Sequence, residues 1–273
     1  MDKLLDIVPP EMRGKVQEFT ELSYDRLMEM QCRAMNETSG ALTGFDCTEC
    51  RNKGLVYFVR DGEIVCRPCR CRWARDSVNR IRASGLSDSL DRYTFDSFIE
   101  STPWQRQMKQ VAHNYVADYC GKWMFFGGQV GCGKTHLCTA AAGELLRAGR
   151  SCRYMLWRDE AVRLKARVND SLEYARLMEP LKGCDVLYID DFFKTERSAK
   201  PTPGDVNIAF ELLNYRYCID DKATILSSEL RIEDIMDIDQ AVGSRIYQKS
   251  KDYCVEIAHD RNKNYRIMEG NIC

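Results

Sequence analysis

The sequence predicts an α/β domain with a mainly parallel sheet, preceded by a small cysteine-rich module and a helical N-terminal arm. Three observations predict it. From Lys122 onward, short apolar runs alternate with helical periods. One turn between such a run and a helix reads Gly128-Gln-Val-Gly-Cys-Gly-Lys134-Thr135. Upstream, two Cys-x-x-Cys pairs, Cys47/Cys50 and Cys66/Cys69, are separated by fifteen residues.

The length of 273 residues fits one medium domain plus a small module. The hydrophobic fraction of 44% is that of a chain with a real core, and the net charge of −1 gives no global argument for nucleic acid or membrane. No apolar run approaches the ~18 residues of a membrane span. The start, Met1-Asp-Lys-Leu-Leu-Asp, carries acids and lacks a signal peptide's apolar stretch, so a cytoplasmic location without membrane contact is expected. Of fourteen cysteines, Cys138, Cys152, Cys184 and Cys218 are scattered singly and read as small buried hydrophobes in a reducing compartment. Cys47, Cys50, Cys66, Cys69 and Cys71 instead crowd into one stretch.

In chain order, residues 1–44 form the helical arm. Met12, Val16, Phe19, Leu22 and Leu27 recur at helical spacing after Pro9-Pro10, which fits a packing helix or a partner-docking arm. Residues 45–82 form the cysteine module, with two short strands at 54–59 and 63–65 around Arg60-Asp61-Gly62, a strong hairpin turn. After Cys71 the pattern becomes basic and helical. Residues 83–273 form the main domain: a connector, the segment Tyr93-Thr-Phe-Asp-Ser-Phe98, and a helix over 104–119. Strands follow at 123–126, 152–156, 186–189 and 223–226. The helices between them span 136–148, 159–176 and 206–217. Such alternation implies βαβ units and a sheet covered on both faces.

The glycine-rich turn has the spacing of a phosphate-binding loop. Its glycines let backbone N–H groups converge on an anion, and the following helix adds its positive end. The residues assigned to the nucleotide are Gly128, Gln129, Val130, Gly131, Cys132, Gly133, Lys134, Thr135 and His136. Lys134 would reach the β- and γ-phosphates of ATP, and Thr135 would offer its hydroxyl to Mg²⁺. The run Asp185-Val-Leu-Tyr-Ile-Asp190-Asp191 is a buried strand ending in two acids. Asp190 would hold Mg²⁺, and Asp191 would orient or deprotonate the attacking water.

Two cysteine knuckles joined by a hairpin bring four thiolates onto a tetrahedral Zn²⁺, here Cys47, Cys50, Cys66 and Cys69. Cys71 could replace Cys69. Four thiolates leave no open position, so the zinc would be structural. Between Arg51 and Arg82 there are nine basic residues against three acidic ones, with Tyr57, Phe58 and Trp73 among them. That composition suits single-stranded nucleic acid, an acidic protein surface or a plain solvated face. Arg163, Lys165 and Arg167 form a second basic stretch, on an exposed helix face or along a DNA path.

Over residues 83–268 these elements resemble the DnaC/DnaI-like helicase loaders within the AAA+ ATPases, and their IstB-like relatives. Residues 93–98 look like the segment that precedes the ATPase core in that family. Gly127–Thr135 and Asp185–Asp191 match its Walker A and Walker B motifs. Ile225-Leu-Ser-Ser-Glu-Leu230 is similar to its sensor 1 strand end, and Gly243-Ser-Arg245 to its arginine-finger motif. The resemblance implies an AAA+ domain without a C-terminal helical lid, hydrolysing ATP. Asp191 stands where many members carry glutamate, which implies slow, partner-regulated hydrolysis. Glu229 stands where relatives often carry asparagine, and Ser227 or Ser228 would be the sensor, with Ser227 preferred. Arg245 would act on a neighbouring subunit's nucleotide, which requires self-association into a ring or spiral. The implied function is delivery of a replicative DNA helicase onto single-stranded DNA. Competing readings are an IstB-like transposition ATPase, a small-molecule kinase, and a zinc-based binding module whose ATP only holds structure.

Overall fold

The computed structural model describes residues 24–43, 46–83, 87–195 and 199–265. The chain divides into two compact units, one ending at Arg72 and the other beginning at Trp73. The expected junction at residue 82 therefore lies some way past the division, which falls inside the basic helix that follows the cysteines.

In the first unit, helix α1 (Tyr24–Glu37) precedes an antiparallel hairpin, β1 (Leu55–Arg60) and β2 (Glu63–Pro68). The turn is the expected Asp61-Gly62, with φ of 54° and 77°. Asn36 of α1 pairs with the edge of β1 as a neighbouring strand would: its Nδ2 donates to Tyr57 O at 2.7 Å, and its Oδ1 accepts from Tyr57 N at 3.0 Å. Cys32 is buried and Leu27 exposed. Met12, Val16, Phe19 and Leu22 lie outside the described residues. Helix α2 (Arg70–Ala83) begins directly after the hairpin.

The second unit is built on five strands: β3 (Trp123–Gly128), β4 (Cys152–Leu156), β5 (Val186–Asp190), β6 (Ala223–Ser227) and β7 (Cys254–Ile257). All pair in parallel, in the order β4-β5-β6-β3-β7. The helices are α3 (Ser87–Arg92), α4 (Pro103–Asp118), α5 (Lys134–Arg147), α6 (Trp157–Lys165), α7 (Ser171–Gly183), α8 (Pro203–Tyr217), α9 (Ile232–Ile238) and α10 (Gln240–Ser250). The helix expected over 159–176 is two helices. Asp170 ends the break between them by accepting a hydrogen bond from Glu173 N and capping α7.

Strand alternation sends neighbouring side chains to opposite faces. Met124 and Phe126 enter one apolar layer with Leu137, Ala141 and Tyr188, while Trp123 and Phe125 enter the other with Leu187, Ile189 and Ile246. Because the strands are parallel, β3, β5 and β6 all end at one edge of the sheet. Among the described residues no helix is long and apolar enough to cross a membrane.

Candidate functional site

That edge carries a cleft of about 510 Å³. Gly131, Gly133, Lys134, Thr135 and His136 form its floor, and Asp191, Lys194 and Glu229 add charged groups. The loop after β3 closes tightly because Gly133 has φ +93°, and a Cβ there would lie 2.7 Å from the Phe98 ring. Lys134 is buried and donates to Gly128 O at 2.8 Å and Gln129 O at 2.6 Å, so its ammonium sits inside the loop. Burial pulls its pKa down.

Asp190 is buried at the end of β5. One oxygen, Oδ1, accepts from Thr135 Oγ1 at 3.1 Å and from Ser227 Oγ, and the other accepts from Tyr154 OH at 3.3 Å. Burial raises its pKa against those hydrogen bonds. Thr135 and Asp190 are thus in contact, and their oxygens could hold a Mg²⁺ ion. The chain then turns sharply: Asp191 has φ +53°, and its N–H donates to Ser227 Oγ at 3.1 Å. This turn brings the Asp191 carboxylate into the cleft, where Lys194 Nζ lies 3.0 Å from it and 2.8 Å from Glu229.

Of the residues assigned from sequence, the structure gathers the loop, Lys134, Thr135, His136, Asp190 and Asp191. Ser227 lies behind Asp190, fully buried, and positions both acids; Glu229, two residues on, lines the cleft. Cys132 is buried. Arg245 does not line the cleft. Its Nε donates to Asn214 Oδ1 at 3.0 Å, and its guanidinium lies over the rings of Phe210 and Tyr217, at 5.1 and 5.5 Å.

Sequence reasoning missed the wall formed by Arg92, Tyr93, Phe98, Ile99 and Tyr265. The Tyr93–Phe98 segment held a signal, its cluster of aromatic residues, but nothing local tied it to the loop. His136 supplies that tie: its Nε2 lies 2.9 Å from Thr94 O, and its ring lies 4.8 Å from Tyr93 and 5.2 Å from Phe98. Burial lowers the His136 pKa, favouring the neutral ring. Aromatic rings, the glycine-rich loop with Lys134, buried Asp190 and the cleft carboxylates of Asp191 and Glu229 together fit ATP with Mg²⁺. The triphosphate would lie in the loop against Lys134, the ion between Thr135 and Asp190, and a water nucleophile within reach of Asp191 or Glu229.

The first unit holds a second cluster. Sγ atoms of Cys47, Cys50, Cys69 and Cys71 all lie within 4.8 Å of one another. Cys47 and Cys69 are 3.7 Å apart, and Cys50 and Cys71 3.3 Å. A tetrahedral site with Zn–S bonds of ~2.3 Å has edges of about 3.8 Å, so the donor set fits zinc. The expected set is corrected in one member: Cys66 is exposed, and Cys71 takes its place while Cys69 stays. The reason is that β2 continues to Pro68, which keeps Cys66 in the extended strand, whereas α2 begins at Arg70 and turns Cys71 back toward Cys50. Gly54 N donates to Cys50 Sγ at 3.2 Å, supporting a thiolate there.

The fold and the cleft together define an AAA+ ATPase. A profile for the bacterial DnaA ATPase domain matches residues 90–249, and the chain belongs to that family. It is similar to the phage-like element PBSX protein XkdC of Bacillus subtilis (strain 168), with 34% identity over 227 residues that cover 78% of this chain and 82% of that protein. Two solved structures share the fold. One is the replication initiator DnaA bound to AMPPCP and single-stranded DNA, with TM-score 0.52, 24% identity, and coverage of 63% of this chain and 51% of that one. The other is the DnaC helicase loader, with TM-score 0.52, 19% identity, and coverage of 63% and 99%. The chain thus spans about half the length of the DnaA structure it matches.

Proposed function

We propose that the chain is an ATP-dependent loader that delivers a replicative DNA helicase onto single-stranded DNA during replication initiation. The observation that carries this reading is the combination, in one chain, of a DnaA-family nucleotide cleft and a separate four-thiol unit. The fold of the second unit is shared along 99% of the solved DnaC helicase-loader chain, which supports this reading. Zinc held by Cys47, Cys50, Cys69 and Cys71 would supply folding energy to a unit too small to bury much apolar surface. This unit and the arm before it would grip the helicase. The name of XkdC points to a phage or prophage setting for that work.

Single-stranded DNA is the expected second partner. Phe58 of the first unit is 37% exposed, and stacking on such a ring tolerates any base. Part of the basic surface is committed elsewhere: Arg51 donates to Glu37 O, and Arg67 pairs with Glu49 at 2.9 Å. Lys165 likewise pairs with buried Asp205 at 2.7 Å, which weakens the second basic stretch as a DNA path. Arg245 is assigned to a neighbour's nucleotide in a ring or spiral, leaving its seat between Phe210 and Tyr217 on assembly. Nucleotide state would then select between assembled and released forms.

The test is a pull-down of the host replicative helicase on the purified chain, with and without ATP and single-stranded DNA. Capture that depends on ATP is expected. Absence of capture under all four conditions would overturn the loader reading.

A further inference from the structure

The cleft has a wall that the family match does not reach. The matched region ends at residue 249, yet Tyr265 lines the cleft. After β7 the chain turns back along the phosphate loop. Gln129 N donates to Ile257 O at 2.9 Å, Asp260 N to Gln129 Oε1 at 2.9 Å, and Tyr265 N to Gly131 O at 2.9 Å. The fit is close: Gly131 has φ +74°, and a Cβ on it would fall 2.0 Å from Asn264 Oδ1. The Tyr265 hydroxyl donates to Ile99 O, so residues 166 positions apart in sequence are tied together at the cleft. Its ring stands edge-on to Phe98 at 6.4 Å, and Phe98 in turn meets His136.

The cleft therefore has two chemical characters. Lys134, Asp191, Lys194 and Glu229 are charged and belong with phosphate, ion and water. Tyr93, Phe98, His136 and Tyr265 are flat, polarizable rings, and such rings stack on a base. We propose that Tyr265 is a base-contacting affinity and selectivity determinant, its ring walling the nucleobase end and its hydroxyl holding residues 260–265 against residues 93–99. The tie to Ile99 fixes the ring before ligand arrives, which lowers the ordering cost of binding. A purine presents more stacking surface than a pyrimidine, so the wall favours ATP over CTP. This inference rests on the reading of the cleft as a nucleotide site.

The experiment is equilibrium binding of Mg-ATP and Mg-CTP to the full chain and to its Tyr265→Ala and Tyr265→Phe variants, with a melting curve for each. No ATP binding by the wild type would sink the nucleotide reading itself, before the variants are compared. If the wild type binds ATP, it should prefer ATP over CTP. Tyr265→Ala should weaken ATP about tenfold, equivalent to ~1.4 kcal/mol, and CTP by about threefold or less. Tyr265→Phe should keep the ATP-to-CTP ratio, because it keeps the ring. The proposal is overturned if the wild type does not discriminate, if Tyr265→Ala binds ATP unchanged, or if ATP and CTP fall by the same factor. The last result would make Tyr265 only a prop for the phosphate loop. If Tyr265→Ala does not fold, a Tyr265→Phe ratio that collapses to one overturns the assignment to the ring.

Discussion

Asp190 and Asp191 are adjacent in sequence and opposite in environment. Asp190 ends a buried strand, and its carboxylate is surrounded by the hydroxyls of Thr135, Ser227 and Tyr154. Asp191 takes a left-handed backbone, which costs a non-glycine residue about 1 kcal/mol or more and turns its side chain into the cleft. There Lys194 bridges it to Glu229, so the cleft holds two acids around one ammonium. If Asp191 orients the nucleophile, Asp191→Ala should lower steady-state ATP turnover by roughly 10²-fold while leaving ATP affinity nearly intact. Equal turnover in the variant and the wild type would remove Asp191 from catalysis and turn attention to Glu229. The position of both acids was legible from sequence because a strand ending in two carboxylates is a local pattern. The cleft position of Glu229 was not, because it depends on how the chain leaves β6 beside the turn at Asp191.

At the scale of elements, the cysteine hairpin separates what spacing can decide from what it cannot. Paired cysteines around an Asp-Gly turn identified the module. The choice among Cys66, Cys69 and Cys71 depended on where strand β2 gives way to helix α2, a boundary that sequence places only within a few residues. Elemental analysis of the purified chain should find one zinc per chain in the wild type and in Cys66→Ser, with much of it lost in Cys71→Ser. Zinc loss in Cys66→Ser with retention in Cys71→Ser would restore the Cys66 set. Arg216 makes the same point in the second unit. In sequence it is one more basic residue in a helix's last turn. In the structure it is wholly buried and donates to Leu181 O, Lys182 O and Cys184 O at the end of α7, each at 3.0 Å, and to Thr224 Oγ1 of β6 at 3.1 Å. A buried cation without a carboxylate among those partners is held by the negative end of a helix.

At the scale of the whole molecule, helices α6, α7 and α8 are tied together by two acids of α8, one buried and one half-buried. Asp205 meets Lys165 of α6, and Glu211 meets Lys182 and Tyr174 of α7. Burial works against both charges, but the hydrogen bonds to Lys165 and Thr202, and to Lys182 and Tyr174, outweigh it and hold both carboxyls below their usual range. A carboxyl with a lowered folded-state pKa stabilises the fold above its unfolded value, and that stability is lost as pH falls through the folded value. Melting temperature should therefore be nearly level above about pH 5 and fall steeply below about pH 4. In the Asp205→Asn/Glu211→Gln double variant the fall should be shallower, with a lower starting value. An acid limb identical to that of the wild type would discount these two ties.

The alternation of strands and helices, the phosphate loop, the two acids at the end of β5 and the presence of a cysteine module were determined by the sequence alone. Each is written in neighbouring residues, through side-chain period, glycine conformation or ligand spacing. Strand order, the exchange of Cys66 for Cys71, the cation–π seat of Arg245 and the aromatic wall from Tyr93 to Tyr265 were decided only by the tertiary structure. Those features join residues far apart in the chain, and nothing local encodes which distant backbone will close over a loop. The phosphate loop was therefore evident at once from sequence, while the rest of its cleft required the fold.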